Sequence, residues 1–171
     1  MSETRKMILL ANFLAIAIVL NIIESAIPII PVPGAKLGFA NIVTLIVLYV
    51  YGFRSASTLT LMRVLLVSLL TGKFLSPTFY LSLSGAVFAL LAMGLFKKLD
   101  FFSMLGVSVI GSILHAIGQI AAAIIVLETP AVVAYLPLML LVSVPAGVMT
   151  GLIGRKFHSV WGIWNGNTST A

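Results

Sequence analysis

Residues 7–27 read MILLANFLAIAIVLNIIESAI, and Glu24 is the single charged side chain among them. A helix needs about 20 apolar residues to cross the roughly 30 Å hydrocarbon core of a bilayer. This stretch has that length, and it is too long for the apolar core of a signal peptide. It therefore predicts a transmembrane helix that is retained in the protein.

The rest of the chain repeats this pattern. Five further apolar stretches cover about residues 37–51, 55–71, 78–96, 101–127 and 132–154. Of the 171 residues, 61% are hydrophobic and 8% are charged, and the mean hydropathy is +1.21. A soluble domain needs far more polar residues to cover its surface, so a water-soluble enzyme is excluded. We predict an all-α membrane protein, with six transmembrane helices in a single domain over residues 1–156 and a polar cytoplasmic tail over residues 157–171.

The basic residues between the apolar stretches predict the orientation of the helices. If the N-terminus is cytoplasmic, seven basic residues fall on the cytoplasmic side, and Lys36 and Lys73 fall outside. The seven are Arg5, Lys6, Arg54, Lys97, Lys98, Arg155 and Lys156. Cytoplasmic loops of membrane proteins carry such an excess, so we expect a multi-pass protein of the cytoplasmic membrane with both termini in the cytoplasm. The net charge of +6 does not indicate nucleic-acid binding, because the charges form no contiguous patch.

Several polar side chains lie within or beside the apolar stretches, where they are expensive and usually functional. Arg63 lies near the middle of the third stretch, and His115 and Gln119 lie one helical turn apart on the fifth. In the predicted orientation, such residues fall in the outer half of the bundle or near its midplane. They form the candidate substrate-binding set: Glu24, Lys36, Asn41, Arg63, Lys73, Ser84, His115 and Gln119.

This distribution predicts a polar cavity that opens outward and is closed toward the cytoplasm. Such a cavity suits the capture of an external solute better than a continuous pore, which needs polar lining throughout. Its basic residues outnumber Glu24, so an anionic solute is favoured. Structural alternatives stay open: Arg63 forms an ion pair or reaches the membrane surface, and His115 makes an interhelical hydrogen bond. Glu24 alternatively pairs with Lys36 or with Arg63.

Two pairs of small residues stand four positions apart, a spacing that lets membrane helices approach closely. Gly147 and Gly151 lie on the sixth stretch, where packing inside the bundle explains them. Ala11 and Ala15 lie on the first stretch and are candidates for a face that docks another membrane protein.

The chain lacks the residues that most enzymes need. It has no cysteine and four acidic residues, and no GxxxxGK[ST] phosphate-binding loop occurs, so it does not hydrolyse ATP itself. Asp100 is the single aspartate, which leaves no aspartate-rich motif to hold magnesium and a diphosphate. We therefore expect no catalytic residues, no bound metal and no cofactor.

The loop after the first stretch carries a family resemblance. Glu24–Pro28, Pro31–Ile42, Leu75–Gly85 and His115–Gln119 resemble the signature of the Gx transporter family, over about residues 7–156. That family is also labelled heptaprenyl diphosphate synthase component I. It is similar to the substrate-binding S-components of energy-coupling factor importers. The resemblance implies six helices with an outward-facing vitamin site beneath the first loop. It also implies an alanine pair on the first helix that docks on a transmembrane coupling protein driven by two ATPases.

The leading functional hypothesis is therefore the substrate-capture subunit of an ATP-driven importer. Its solute is a small amphipathic anion such as an isoprenoid or quinone precursor, or haem with His115 as an iron ligand. One alternative is a stand-alone secondary transporter in which Glu24 and His115 relay protons. Another is a non-catalytic membrane subunit in polyprenyl diphosphate or quinone synthesis.

Overall fold

The chain is a bundle of helices in a computed structural model that describes residues 2–26, 36 and 38–164. The helices are α1 (Glu3–Ala26), α2 (Asn41–Tyr51), α3 (Phe53–Leu70), α4 (Pro77–Lys98), α5 (Met104–Val126) and α6 (Leu136–Trp164), with a 3₁₀ helix at Pro130–Tyr135. All of these except α2 belong to segments long and apolar enough to cross a membrane, and the 3₁₀ helix shares its segment with α6. The prediction of an all-α, multi-pass membrane protein is confirmed. The predicted proline-rich loop at residues 28–34 lies outside the described residues.

Local sequence explains where several helices begin. Gly52 separates α2 from α3 with a φ of +84°, a conformation that glycine adopts at no steric cost. Pro77 opens α4 at its first turn, where its missing N–H leaves no hydrogen bond unmade. Ser103 precedes α5, and its Oγ accepts a hydrogen bond of 3.3 Å from the Gly106 N–H.

The short helix α2 lies at the centre of the bundle and packs against α1, α3, α4 and α6. Its residues Asn41 and Val43–Leu48 are all buried. With 11 residues, it spans about 16 Å, roughly half of a hydrocarbon core. The helix begins at Asn41 rather than near residue 37, because Gly38 has a φ of +87° and a turn over Gly38–Ala40 precedes the first helical residue. The N-terminal end of α2 therefore lies inside the bundle.

The helix α5 packs closely against α4 and α6. A Cβ atom on Gly147 would lie 2.8 Å from the Val109 Cα, and one on Gly151 would lie 2.8 Å from the Leu105 Cα. Both glycines are therefore required for the approach of α6 to α5, as the internal-packing interpretation predicted. Ala11 and Ala15, by contrast, are exposed on α1 within this chain.

The last helix is longer than its hydropathy indicates. The apolar stretch ends near Gly154, but α6 continues to Trp164 and includes residues assigned to the polar tail. Aromatic packing stabilises this extension, because the Phe157 and Trp161 rings stack at 5.7 Å and Phe13 of α1 contacts both. The remainder of the predicted tail lies outside the described residues.

Candidate functional site

Buried polar side chains gather at one end of the bundle. This end contains the C-terminal parts of α1, α3 and α5 and the N-termini of α2 and α4. We call the following seven residues the polar cluster: Asn21, Glu24, Lys36, Asn41, Arg63, His115 and Gln119. They come from four helices and one connection, and hydrogen bonds join Asn21, Lys36, Gln119 and His115 in one group and Arg63 and Asn41 in another. The cluster contains six of the eight residues predicted to bind substrate.

Lys36 joins α1 to α5. Its backbone N–H donates a hydrogen bond of 3.0 Å to Gln119 Oε1, and its Nζ donates one of 2.6 Å to Asn21 Oδ1. Gln119 Nε2 lies 2.8 Å from His115 Nε2, so these two residues, one turn apart on α5, contact each other within the same helix. Asn21 was not among the predicted site residues, although its spacing of three from Glu24 places both side chains on one face of α1.

Glu24 binds the backbone at the start of α2. Its Oε1 accepts hydrogen bonds from the N–H groups of Gly38, at 2.5 Å, and Phe39, at 3.3 Å. A helix N-terminus carries unpaired N–H groups and a partial positive charge, which a carboxylate neutralises. The prediction that Glu24 pairs directly with Lys36 or Arg63 is therefore replaced by a contact to the main chain. Its carboxylate still acts electrostatically on both of these cations.

Arg63 projects from α3 into the bundle and is 2% exposed. Its Nη2 donates a hydrogen bond of 3.4 Å to Asn41 Oδ1. Among the residues that the structure describes, its Nε and Nη1 are buried without a hydrogen-bond partner, as are Asn41 Nδ2 and Glu24 Oε2. Buried donors are nearly always paired in folded proteins, and a guanidinium in a membrane interior is especially costly to leave unpaired. This arrangement of Arg63 and Asn41 is suited to binding an anion.

A small cavity lies beside the cluster. It encloses about 20 Å³ and is lined by polar residues that include Asn21, Ser25, Lys36, Ser68 and Lys73. This volume holds about one water molecule, whereas sites for small organic ligands enclose about 300–1,000 Å³. The cavity is much smaller than the sequence led us to expect, because the side chains of the cluster occupy most of this end of the bundle.

The electrostatics of the cavity centre on Lys36, which lies in the connection before α2. Burial lowers the pKa of its ammonium group from 10.5 to about 8. Glu24 opposes this change, whereas Arg63 and Lys73 add to it by like-charge repulsion. Lys36 is therefore the basic group of the site whose charge changes near neutral pH.

The two other predicted site residues make no hydrogen bond to the described side chains of the cluster. Lys73 is exposed and lines the cavity without a side-chain hydrogen bond to the cluster. Ser84 is half-buried on α4, and its Oγ donates a hydrogen bond of 2.8 Å to the Gly118 carbonyl of α5. The serine therefore stabilises the contact between these two helices and does not face the other candidates.

Sequence reasoning also missed a charged contact at the opposite end of α2. Lys97 Nζ donates a hydrogen bond of 2.7 Å to the Leu48 carbonyl and lies 4.8 Å from the centre of the Tyr49 ring. Its position after an apolar stretch indicated only an orientation-setting charge. The contact places a cation at the C-terminal end of α2, where it interacts favourably with the negative end of the helix dipole.

Comparison with known proteins places the chain in a sequence family. Residues 13–157 match the family described as heptaprenyl diphosphate synthase component I, in agreement with the resemblance found in the first loop. No curated protein and no solved structure matches the chain. The similarity to importer S-components stays a prediction. Within residues 2–26, 36 and 38–164, no three His, Asp or Glu side chains come together as a metal site.

Proposed function

This chain belongs to the heptaprenyl diphosphate synthase component I family, and we propose that it is the substrate-binding S-component of an ATP-driven energy-coupling factor importer. In this role it is not an enzyme, and it captures a small amphipathic anion from outside the cell. The observation that supports the proposal best is the polar cluster, with Arg63 fully buried, at one end of an apolar bundle.

The position of the cluster favours capture over conduction. Ionisable side chains inside a membrane protein mark substrate or ion sites, because the bilayer makes them costly. Here they are concentrated at the end where α1 is connected to α2, and the distribution of basic residues between the apolar stretches supports an outward position for that end. A polar lining limited to one end suits a binding site that is closed toward the cytoplasm.

Transport then requires partners. Because the sequence contains no phosphate-binding loop, two ATPase subunits and a transmembrane coupling protein supply the energy in our proposal. The exposed pair Ala11 and Ala15 on α1 forms the docking face for the coupling protein. The protein lies in the cytoplasmic membrane with both termini in the cytoplasm.

Purification from the native membrane in a mild detergent tests this proposal. We expect a coupling membrane protein and two ATPases to co-purify with the tagged chain, and a small anion to be released from it on denaturation. Ala15→Trp should abolish co-purification by obstructing close helix contact. Ile16→Trp, at an exposed neighbour on a different side of α1, is the matched control and should retain it.

Failure of any membrane protein and ATPase to co-purify with the wild-type chain would contradict the proposal. Uptake by the isolated chain in liposomes with a proton gradient and no ATPase would favour the secondary transporter instead.

The family description favours a second candidate, a membrane subunit of a heptaprenyl diphosphate synthase. In that case the catalytic residues belong to a partner, because Asp100 is exposed in the connection between α4 and α5, at the end opposite to the polar cluster. Prenyl transfer by a soluble synthase that depends on adding this chain would support the second candidate. An unchanged rate would leave the importer subunit as the better assignment.

A further inference from the structure

The ionisable side chains of the polar cluster do not neutralise one another. Lys36 and Arg63 supply two positive charges and Glu24 supplies one negative charge, whereas Lys73, which lines the neighbouring cavity, is exposed to water that screens its charge. The other three acidic residues of the chain are Glu3, Asp100 and Glu128, and all three are exposed. Residues 27–35 and 37 contain no acidic side chain. The cluster therefore has a surplus of one positive charge that no acidic residue of this chain offsets at close range.

The unpaired hydrogen-bond donors lie with this surplus charge. The Arg63 Nη2–Asn41 Oδ1 contact of 3.4 Å brings the two side chains side by side. Within the described part of the chain, Arg63 Nε and Nη1 and Asn41 Nδ2 then remain without partners, although both residues are 2% exposed. Each of the two outer edges of a guanidinium presents a pair of N–H groups that matches the two oxygens of a carboxylate, and each such edge of Arg63 includes one unpaired nitrogen, Nε or Nη1. The unpaired donors and the surplus positive charge therefore both favour a bound carboxylate.

The N-terminus of α2 does not supply this anion site, because it is already engaged. Glu24 Oε1 accepts hydrogen bonds from the Gly38 and Phe39 N–H groups. The positive end of the helix dipole is therefore compensated within the chain. The surplus positive charge and the unpaired donors of Arg63 and Asn41 therefore remain even though Glu24 contributes a negative charge to the cluster.

We propose that Arg63 and Asn41 form a subsite for one carboxylate, which selects solutes with a single negative charge. This inference rests on the proposed function and specifies the substrate class for the same site. A neutral solute leaves the surplus positive charge buried. A dianion replaces it with a surplus negative charge, which is equally costly to bury. A monocarboxylate attached to an apolar body satisfies both the donors and the charge.

Probes of different charge test the subsite. The full-length protein in phospholipid-free detergent is titrated with butyrate, hexanoate and octanoate, with their primary amides, and with succinate, adipate and suberate. The readout is the thermal unfolding midpoint as a function of probe concentration. We expect monocarboxylates to raise the midpoint, with affinities at least about tenfold above those of the amides and dicarboxylates, because a buried charge left unpaired costs at least that factor.

Two variants assign the effect to the subsite. Arg63→Gln should weaken the monocarboxylate response at least about tenfold, whereas Arg54→Gln, at an exposed cation at the other end of α3, should leave it unchanged. Asn41→Asp supplies the missing carboxylate from the chain itself and loses no hydrogen bond, since Asn41 Nδ2 has no partner. We expect this variant to unfold at a higher temperature than wild type without any ligand and to lose the response to monocarboxylates. A purely structural asparagine would give a lower midpoint instead.

The outcomes separate this inference from the proposed function. An equal response to amides, an unchanged response of Arg63→Gln, or a lower midpoint for Asn41→Asp overturns the subsite. A shift caused by phosphatidylglycerol alone also overturns it, because a lipid phosphate then fills the site. ATP-driven uptake of a neutral solute would keep the importer role and remove the carboxylate subsite. Arg63-dependent binding of monocarboxylates by a chain that has no importer partners would keep the carboxylate subsite and remove the importer role.

Discussion

Replacing Glu24 by glutamine tests the electrostatic balance of the site most directly. Glutamine has nearly the same shape, and its Oε1 still accepts the Gly38 and Phe39 N–H groups, but the negative charge is lost. A hydrogen bond to a charged acceptor contributes about 1 kcal/mol more than one to a neutral acceptor. We expect the hydrogen bond from the Gly38 N–H, at 2.5 Å, to be weakened by this full amount and the longer one from the Phe39 N–H, at 3.3 Å, by part of it.

Two further costs follow from the same substitution. The interaction of the carboxylate with the N-terminus of α2 is worth about 1 kcal/mol in a buried geometry. Glu24 is 8% exposed, so water screens these interactions little. The removal of the charge also raises the buried surplus from one positive charge to two. We therefore expect Glu24→Gln to lower the free energy of unfolding by about 2–3 kcal/mol.

Equilibrium unfolding in mixed micelles measures this change, with the fraction of denaturing detergent as the variable and far-ultraviolet circular dichroism as the readout. Glu3→Gln is the matched control, because Glu3 is exposed in the first turn of α1 at the opposite end. Its effect should stay within about 0.5 kcal/mol. A Glu24→Gln protein as stable as the Glu3→Gln protein would show that the carboxylate does not compensate α2, and the charge count of the cluster would lose its basis.

Three further predictions follow from the same charges. Glu24→Gln should shift ligand preference from monocarboxylates toward dicarboxylates, as measured by thermal shift, because the surplus then equals two charges. The affinity for monocarboxylates should be constant between about pH 6 and 7 and should weaken above pH 8. Burial lowers the pKa of the Lys36 ammonium group to about 8, so this group loses its proton in that range. Lys36→Arg should remove that pH dependence, and a wild-type affinity unchanged from pH 7 to 9.5 would contradict the role of Lys36. Lys97→Met should lower the free energy of unfolding by about 1–2 kcal/mol, because the partly exposed hydrogen bond to the Leu48 carbonyl and the cation–π contact with Tyr49 are lost. The control Lys98→Met, at an exposed lysine, should change the free energy of unfolding by less than about 0.5 kcal/mol.

The parts of the fold that sequence predicts are those set by hydropathy. Long apolar stretches identify helices because a bilayer leaves the backbone few other ways to satisfy its hydrogen bonds. The Gly147–Gly151 pair was interpretable for a similar reason, since four-residue spacing places both glycines on one helix face. Helix ends were less predictable: Gly38 shortens α2, and packing of Phe157 and Trp161 on Phe13 extends α6.

The sequence predicted most of the residues that form the site but not which of them contact one another. Polarity within apolar stretches identified Arg63, His115 and Gln119 as unusual. Which side chains meet depends on how each helix is rotated about its axis, and a single hydropathy pattern does not fix that rotation. Lys36 and Gln119 are 83 positions apart, yet the backbone of one binds the side chain of the other. Ser84 looked equivalent to these residues, but it bonds to the Gly118 carbonyl instead.

The short central helix explains how an apolar bundle tolerates a charged cluster at one end. Because α2 covers about half of a hydrocarbon core, the turn that precedes it lies inside the bundle, and the N–H groups of Gly38 and Phe39 in that turn bind a buried carboxylate. Glu24 takes these groups at one end, and Lys97 takes the Leu48 carbonyl at the other. Both ends of α2 are thereby compensated by side chains of opposite charge. The positive charge that remains in the cluster then belongs to Arg63 and Lys36, and a bound anion is the partner that we propose for it.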